Sequence, residues 1–310
     1  MTNKLTGVEL LRFFAALAVV AFHIPSVGVG SFGVDVFFVI SGFVMMLSTS
    51  NDANQFLLKR LIRIVPLYWL ATIGVFGIAL VAPNLLANTD ASINDLVRSL
   101  LFIPFNKNGI GHQPVLAVGW TLNYEMYFYA IFALSCFLGL RYRGCISVII
   151  ITLNMLILKH FDNFVCQTYS NLIVLDFGLG VALYFMLNKD IFQALVTICI
   201  IIIAAIVNFE DGHRVLFFGL PSFLIVYLAA SCERHLPYAR VISLLGGASY
   251  ALYLSHAYII RIFDRLLGLD YLSLPIITAT LILSICVSIV IYKYIDKPIT
   301  ACLRRKLINK

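Results

Sequence analysis

Two basic residues, Arg12 and His23, lie in the first apolar segment of the chain. A charged side chain near the centre of a membrane span costs about 2.5–3.5 kcal/mol on insertion scales. Eleven residues separate the pair, and at about 100° and about 1.5 Å per residue both side chains return to one helix face, roughly three turns apart. Histidine exchanges protons near neutral pH, and arginine binds phosphate through two hydrogen bonds. The spacing therefore predicts a functional face on this helix.

Membrane spans are the elements that must position these side chains. The chain has 310 residues, of which 61% are hydrophobic and 12% charged, and its mean hydropathy is +0.97. Because a soluble domain carries about 25% charged residues, we predict an all-α polytopic membrane protein folded as one domain over residues 1–310. The net charge of +7 fits membrane topology, not nucleic-acid binding. Neither a cleavable signal nor a fused extracytoplasmic domain is expected.

Ten apolar segments are predicted to span the membrane, although several are shorter than the ~20 residues that a straight span needs. They run approximately over Leu5–Ile24, Gly33–Ser48, Ile64–Ala82, Trp120–Leu140, Cys145–Leu158, Asn171–Leu187, Ile191–Val207, Val215–Ser231, Val241–Ile260 and Pro275–Tyr294.

The loop charges give these spans a direction. Ten spans put both termini on one side, which then carries 15 Lys and Arg residues, including Arg143, against six on the other, including Arg214, with Arg12 inside the membrane. Cytoplasmic loops carry the excess of basic residues, so both termini are predicted to be cytoplasmic. The longest external connection is then Pro83–Gly119. Within it, Ser92–Phe102 has the amphipathic spacing of an interfacial helix, and Asn106–Gly111 is predicted to be a loop.

The seven cysteines occur singly, without a CxxC motif and without neighbouring histidines. This pattern argues against a zinc site and against a disulfide framework.

Three predicted spans bring polar side chains to a similar depth near the outer face. These side chains are His23 on the first span, Glu125 on the fourth, and Ser249, Tyr253 and His256 on the ninth. The last three are spaced as one stripe of a helix. A histidine at this depth suits proton transfer, and a carboxylate beside it could fix its tautomer and stabilise the imidazolium.

Three arginines lie closer to the cytoplasm: Arg12 within the first span, and Arg60 and Arg63 at the mouth of the third. Such a cationic entrance suits a ligand that carries phosphate. A donor entering from inside and an acceptor arriving from outside would then meet at His23.

Six motifs in this order resemble those of the acyltransferase-3 family of integral membrane acyltransferases, especially exopolysaccharide and O-antigen O-acetyltransferases. They are GVELLRFFAA at Gly7–Ala16, GVDVFFVISGF at Gly33–Phe43, RLIRIVPLYW at Arg60–Trp69, WTLNYE at Trp120–Glu125, SYALYLSH at Ser249–His256 and DKP at Asp296–Pro298. The resemblance covers essentially the whole chain.

This resemblance implies a membrane O-acyltransferase of the bacterial inner membrane. Its co-substrate would be cytoplasmic acyl-CoA, usually acetyl-CoA, with no tightly bound cofactor and no metal. The acceptor would be a hydroxyl group of a glycan or of a lipid-linked glycan. The resemblance further implies that His23 and Glu125 are catalytic and that Arg12, Arg60 and Arg63 bind acyl-CoA.

Residues predicted to line the site are Ser41, Trp120, Tyr124, Ser249, Tyr253 and His256. Structural interpretations stay open for several of the selected residues. The ninth-span stripe could be polar helix packing, Trp120 and Tyr124 could be packing aromatics, and Arg12 could pair with Glu9 three residues earlier. Arg60 and Arg63 could be topology anchors. We assign no role to Asp35 or Asp176.

Two other functions fit the same features. A transporter or flippase also needs charges inside the membrane, although the chain shows no internal repeat of the kind that many transporters have. A transmembrane acyl relay would instead pass its acyl group to a separate periplasmic transferase. Direct transfer and a covalent acyl-histidine are both open for the enzyme, and the sequence does not specify an oligomeric state.

Overall fold

The computed structural model describes residues 5–50, 53–82, 86, 91–107, 111, 113–208, 213–232, 240–267 and 273–308, and every regular element in these ranges is a helix. The α-helices are α1 (Thr6–His23), α2 (Gly33–Ser48), α3 (Phe56–Val81), α4 (Ile93–Leu100), α5 (Trp120–Leu138), α6 (Arg143–Leu158), α7 (Phe164–Tyr169), α8 (Leu175–Leu187), α9 (Ile191–Val207), α10 (Leu220–Ser231), α11 (Arg240–Leu267), α12 (Leu274–Ile291) and α13 (Lys297–Leu307). Short 3₁₀ helices at Ala117–Gly119 and Leu172–Val174 precede α5 and α8. π-Helical turns at Val215–Gly219 and Tyr292–Asp296 lead into α10 and α13.

Each of the ten predicted apolar segments is occupied by helix, and the predicted all-α class is confirmed for the described residues. Among the described residues, three helical stretches are long and apolar enough to cross a membrane, namely Thr6–His23, Phe56–Val81 and Leu274–Leu307, and five shorter apolar helices accompany them. The number of spans and the side on which the termini lie stay predictions.

Helices α3 and α11 extend several residues beyond the predicted apolar bounds, and the last helical stretch continues past Tyr294 to Leu307. Helix α3 begins at Phe56 and not at Ile64, and α11 continues past Ile260 to Leu267. Charged residues lower the hydropathy at both ends, but lysine and arginine are good helix formers. In the long connection, Ser92–Phe102 contains α4, which begins where the Ser92 hydroxyl accepts the Asp95 N–H. Part of Asn106–Gly111 lies outside the described residues.

The chain forms two compact units. Unit 1 contains Met1–Arg12, Val34–Leu57 and Tyr124–Tyr238, and unit 2 contains Phe13–Gly33, Leu58–Asn123 and Ala239–Lys310. Phenylalanines fill the core of unit 1, where Phe128 stacks on Phe177 with ring centroids 4.7 Å apart and Phe38 meets Phe128 edge-on. All three side chains are buried.

Glycines bring α2 and α8 of unit 1 into backbone contact. A Cβ atom at Gly42 would lie 2.1 Å from the carbonyl oxygen of Phe177, and one at Gly180 would lie 2.0 Å from that of Val39. Neither position has room for a side chain. Small residues allow this close approach between helices in membranes, so the two glycines set the spacing of α2 and α8.

Arg143 is buried in unit 1, although the sequence placed it among the cytoplasmic loop charges. Its side chain donates to the Thr49 hydroxyl at 2.8 Å, to Met46 O at 3.0 Å and to Leu140 O at 2.6 Å. Carbonyl groups at helix ends lack partners within their own helix. The guanidinium therefore satisfies a carbonyl group at the end of α2 and another in the turn that follows α5, which is a structural role that a count of loop charges cannot detect.

Tyr68 of α3 contacts several neighbouring segments of unit 2. Its side chain is fully buried, and its hydroxyl donates to Ser99 O at 3.1 Å, at the end of α4. Trp69 Nε1 donates to the next carbonyl, Leu100 O, at 2.9 Å. Gly119 approaches the Tyr68 ring so closely that a Cβ atom would lie 2.7 Å from it. Helix α3 thus holds both α4 and the residues that lead into α5.

Candidate functional site

His23 is the last residue of α1, and its side chain is exposed. The chain that follows folds back along the same helix. A Cβ atom at Gly30 would lie 2.0 Å from Ala18 O, and one at Gly33 would lie 2.4 Å from Ala15 O. Gly30 has a φ of 129°, a backbone conformation open to glycine and rarely to other residues. These contacts fix the turn beside His23.

The His23 imidazole is held by its own helix. Nδ1 lies 2.9 Å from the carbonyl oxygen of Val19, one turn earlier. A carbonyl oxygen only accepts hydrogen bonds, so Nδ1 carries the proton in the neutral ring. Nε2 then has the lone pair, which is the arrangement that a general base requires.

His256 of α11 packs against His23 within unit 2. His256 Nε2 lies 3.3 Å from His23 Nδ1, and the ring centroids are 4.9 Å apart. His256 is completely buried, whereas His23 is exposed. The structure therefore brings together two residues of the predicted site, one exposed and one buried.

Tyr253 and Ser249, the other members of the ninth-span stripe, are buried in unit 2. The Tyr253 hydroxyl donates to Val118 O at 2.9 Å and lies 2.7 Å from the Thr121 hydroxyl, and its ring lies 6.0 Å from that of His256. The Ser249 hydroxyl donates to Gly246 O of its own helix at 2.7 Å. Tyr253 thus supports His256, while Ser249 has its hydrogen bond within α11.

Glu125 lies in unit 1, near the start of α5. The Ser41 hydroxyl of α2 donates to Glu125 Oε1 at 2.6 Å, so two further residues of the predicted site are in contact. Glu125 Oε2 is buried and has no hydrogen-bond partner among the described residues. A carboxylate with one oxygen held and the other unbonded can accept a hydrogen bond from a substrate hydroxyl.

Tyr124, next to Glu125, is buried, and its hydroxyl donates to Thr168 O at 2.9 Å. Its ring lies 5.8 Å from that of Phe38. These contacts make Tyr124 part of the packing that supports Glu125 in unit 1. Trp120, the first residue of α5, is half-buried.

The three arginines of the predicted donor site are half-buried. Arg12 lies in α1, and Arg60 and Arg63 lie in the first two turns of α3. Arg63 interacts electrostatically with Asp296, whose carboxylate accepts a hydrogen bond from Thr300 at 3.3 Å. Phosphate binding by the three side chains stays a prediction.

A cluster that the sequence analysis left without a role lies in unit 1. Arg214 donates a hydrogen bond to the Asp35 carboxylate at the start of α2. Asp35 also interacts electrostatically with Asp176 at the start of α8. Both aspartates are buried. A Cβ atom at Gly219 would lie 2.6 Å from Asp176 Oδ1, so that glycine makes room for the carboxyl group.

The signal for this cluster was present in the sequence. Two carboxylates near span starts are costly unless they have a partner, and Arg214 directly precedes the apolar segment Val215–Ser231. Counting Arg214 as a loop charge concealed this partner.

Comparisons with known proteins place the chain in a family. The family model described as an acyltransferase domain, of the acyltransferase-3 type, matches residues 5–293. The exopolysaccharide production protein ExoZ of Rhizobium meliloti (strain 1021) is 33% identical over 255 residues, which cover 76% of this chain and 78% of that protein. Acyltransferase MdmB of Streptomyces mycarofaciens is 32% identical over 158 residues, covering 42% of this chain and 38% of that protein. No solved structure matches the chain. This helical membrane protein therefore belongs to the acyltransferase-3 family and is an acyltransferase.

Proposed function

We propose that this protein is an O-acyltransferase of the bacterial inner membrane that moves an acetyl group from cytoplasmic acetyl-CoA to a glycan hydroxyl. The acceptor is a cell-surface polysaccharide or its lipid-linked precursor. The name of the relative ExoZ, an exopolysaccharide production protein, supports a glycan acceptor. The observation that carries the proposal is the exposed His23, whose Nδ1 lies against Val19 O and whose Nε2 has the lone pair.

His23 acts as general base in this proposal. Nε2 takes the proton of the acceptor hydroxyl, while the oxygen of that hydroxyl attacks the thioester carbonyl carbon. A C–O bond forms, the C–S bond breaks, and the thiolate of CoA takes the proton from the imidazolium. The products are an acetyl ester and free CoA, and the base returns to its starting state.

Four other charged side chains are proposed to bind the two substrates. Arg60 and Arg63, with Arg12, neutralise the phosphates of acetyl-CoA, because guanidinium groups bind phosphate through paired hydrogen bonds. Glu125 accepts a hydrogen bond from the glycan through Oε2, which has no other partner among the described residues.

Transfer of radiolabelled acetyl groups by the purified protein in liposomes tests this function. Acetyl-CoA is enclosed, crude surface glycan of the source organism is added outside, and wild type is compared with His23→Ala. Alkali-labile label on the glycan with wild type, and none with the variant, is the expected result. Folded wild type that does not consume acetyl-CoA would overturn the proposal in favour of another donor or of transport.

The same assay separates direct transfer from a covalent intermediate. We expect no protein-bound label when wild type meets acetyl-CoA before any acceptor is added. Label that stays on the protein and is absent from His23→Ala would instead indicate an acyl-histidine. Label on the protein that never reaches glycan without a partner protein would indicate a relay.

A further inference from the structure

The contact between His23 and His256 contains a hydrogen bond whose direction follows from the backbone around it. His256 Nδ1 lies 3.1 Å from Leu252 O, in the same relation that His23 Nδ1 has to Val19 O. Each carbonyl oxygen requires a proton on the nitrogen that faces it. Both neutral rings therefore carry their proton on Nδ1, and both have a lone pair on Nε2.

With these two tautomers, the hydrogen bond between the rings can form with one donor only. His23 Nδ1–H faces His256 Nε2 at 3.3 Å, so His23 donates and His256 accepts. Val19 O, at 2.9 Å, shares the same proton as the nearer acceptor. The opposite tautomer of either ring would place a lone pair against a backbone carbonyl oxygen, which is repulsive.

We propose that His256 is a positioning residue for His23, with its Nε2 lone pair accepting the Nδ1 proton of His23 and stabilising the imidazolium that forms during transfer. This inference rests on the proposed role of His23 as a base. A hydrogen bond to the far nitrogen fixes the tautomer and the ring orientation, as a carboxylate does in a Ser-His-Asp triad. Here a neutral imidazole supplies the acceptor.

The surroundings of His256 suit this role. The side chain is completely buried, so water does not compete for its lone pair. Among the described contacts, the ionisable groups against it are His23 and Tyr253, and the Tyr253 hydroxyl is bonded to Val118 O and Thr121. Leu252 O holds Nδ1, so the ring cannot flip without losing that bond.

Two substitutions of His256 distinguish its role as a hydrogen-bond acceptor from its role in filling space. In His256→Leu the acceptor is lost and an apolar side chain fills the space, whereas the amide oxygen of His256→Gln can still accept the Nδ1 proton. Because hydrogen bonds to charged groups are the stronger ones, we expect kcat in the leucine variant to fall about 10- to 100-fold, with an unchanged KM for acetyl-CoA. The glutamine variant should recover most of this loss.

Ser284→Ala is the matched control, because Ser284 is equally buried in unit 2 and its hydroxyl bonds to Thr280 O of its own helix. It should keep wild-type kcat. Equal losses in His256→Leu and His256→Gln, or wild-type kcat in His256→Leu, would overturn the positioning role.

A measurement that needs no turnover tests the hydrogen bond directly. Nitrogen NMR of ¹⁵N-histidine-labelled protein in nanodiscs gives the protonation of each ring nitrogen, and the signals of His256 are identified by their loss in His256→Gln. We expect a protonated Nδ1 and an unprotonated Nε2 whose shift changes in His23→Ala. A protonated Nε2 would overturn the inference even if the protein is an active acetyltransferase. If the protein gives the expected signals but transfers no acetyl group, the proposed function is wrong, whereas the hydrogen bond is established.

Discussion

Arg214 donates a hydrogen bond to Asp35 across 179 positions of the chain. Asp35 also interacts electrostatically with the carboxyl group of Asp176. Both side chains are buried, and two neighbouring buried carboxyl groups cannot both ionise, so they hold one proton between them. Because the guanidinium favours the charged form of Asp35, the proton belongs on Asp176. The cluster is then neutral overall, which suits its burial among apolar side chains.

This assignment predicts different effects for two isosteric substitutions. Asp176→Asn replaces a neutral carboxyl group by a neutral amide and should leave the melting temperature in detergent nearly unchanged. Asp35→Asn leaves Arg214 without its anion and should cost about 2 kcal/mol, less than the about 3–5 kcal/mol of a fully buried pair, because the Arg214 side chain is 31% exposed. Thermal unfolding followed by tryptophan fluorescence measures both. Equal losses would show that the proton is not on Asp176.

The contact between α2 and α8 predicts a sharp difference among glycines. Gly42→Ala and Gly180→Ala place a methyl group about 2 Å from a backbone oxygen, so the helices must separate, and overpacking of this kind costs about 1–3 kcal/mol. Gly74→Ala in α3 meets nothing within 4 Å and should be neutral or stabilise the helix by up to about 1 kcal/mol. The yield of folded protein and the melting temperature compare the three. Unchanged stability in Gly42→Ala would contradict the backbone contact.

The hydrogen bond from Ser41 to Glu125 predicts that substitution of Ser41 changes the kinetics with one substrate, the glycan. Ser41→Ala frees Oε1 and should lower kcat/KM about tenfold, mainly through the KM for the glycan. Ser135→Ala, a buried hydroxyl of the same unit that bonds to Ile131 O, is the control and should not change it. Initial rates with each substrate varied in turn separate the effects. A raised KM for acetyl-CoA alone would move Glu125 from the acceptor to the donor.

Cysteine labelling tests the predicted topology. Cys302 is exposed on α13, and Gln167 is exposed on α7. In single-cysteine variants, a membrane-impermeant maleimide should label Gln167→Cys in intact spheroplasts and should label Cys302 only after permeabilisation. These results follow from the excess of basic residues on the side of the termini. Labelling of Cys302 from outside would invert the topology.

Hydropathy and helix signals in the sequence predict most of the helical segments. The residues at the ends of individual helices explain where the prediction is accurate and where it is not. Helices α2 and α9 have the predicted bounds, because polar or glycine-containing turns border mainly apolar segments. The end of α11 was placed too early at Ile260. Arg261 and Asp264 interrupt the apolar pattern there, yet they lie three residues apart with a 3.9 Å ion pair that is compatible with helix.

The sequence likewise predicts some features of the candidate site and misses others. The sequence placed His23 and His256 at one depth from span direction alone, but their hydrogen bond depends on how α1 and α11 pack. Hydropathy carries no information on that packing. The Asp35 and Arg214 pair was missed because a side chain is assigned to a loop or to a span by its position, whereas arginine reaches well beyond its own backbone.

The fold-back of Gly30 and Gly33 onto α1 also has a consequence in time. His23, its Val19 acceptor and the turn beside them are all synthesised within the first 33 residues, whereas His256 follows 233 residues after His23. At about 5–20 residues per second, a ribosome needs about 12–47 s to reach it. On the proposed assignment, a nascent or truncated chain holds a base without its acceptor, so the enzyme stays inactive until α11 has been made and inserted.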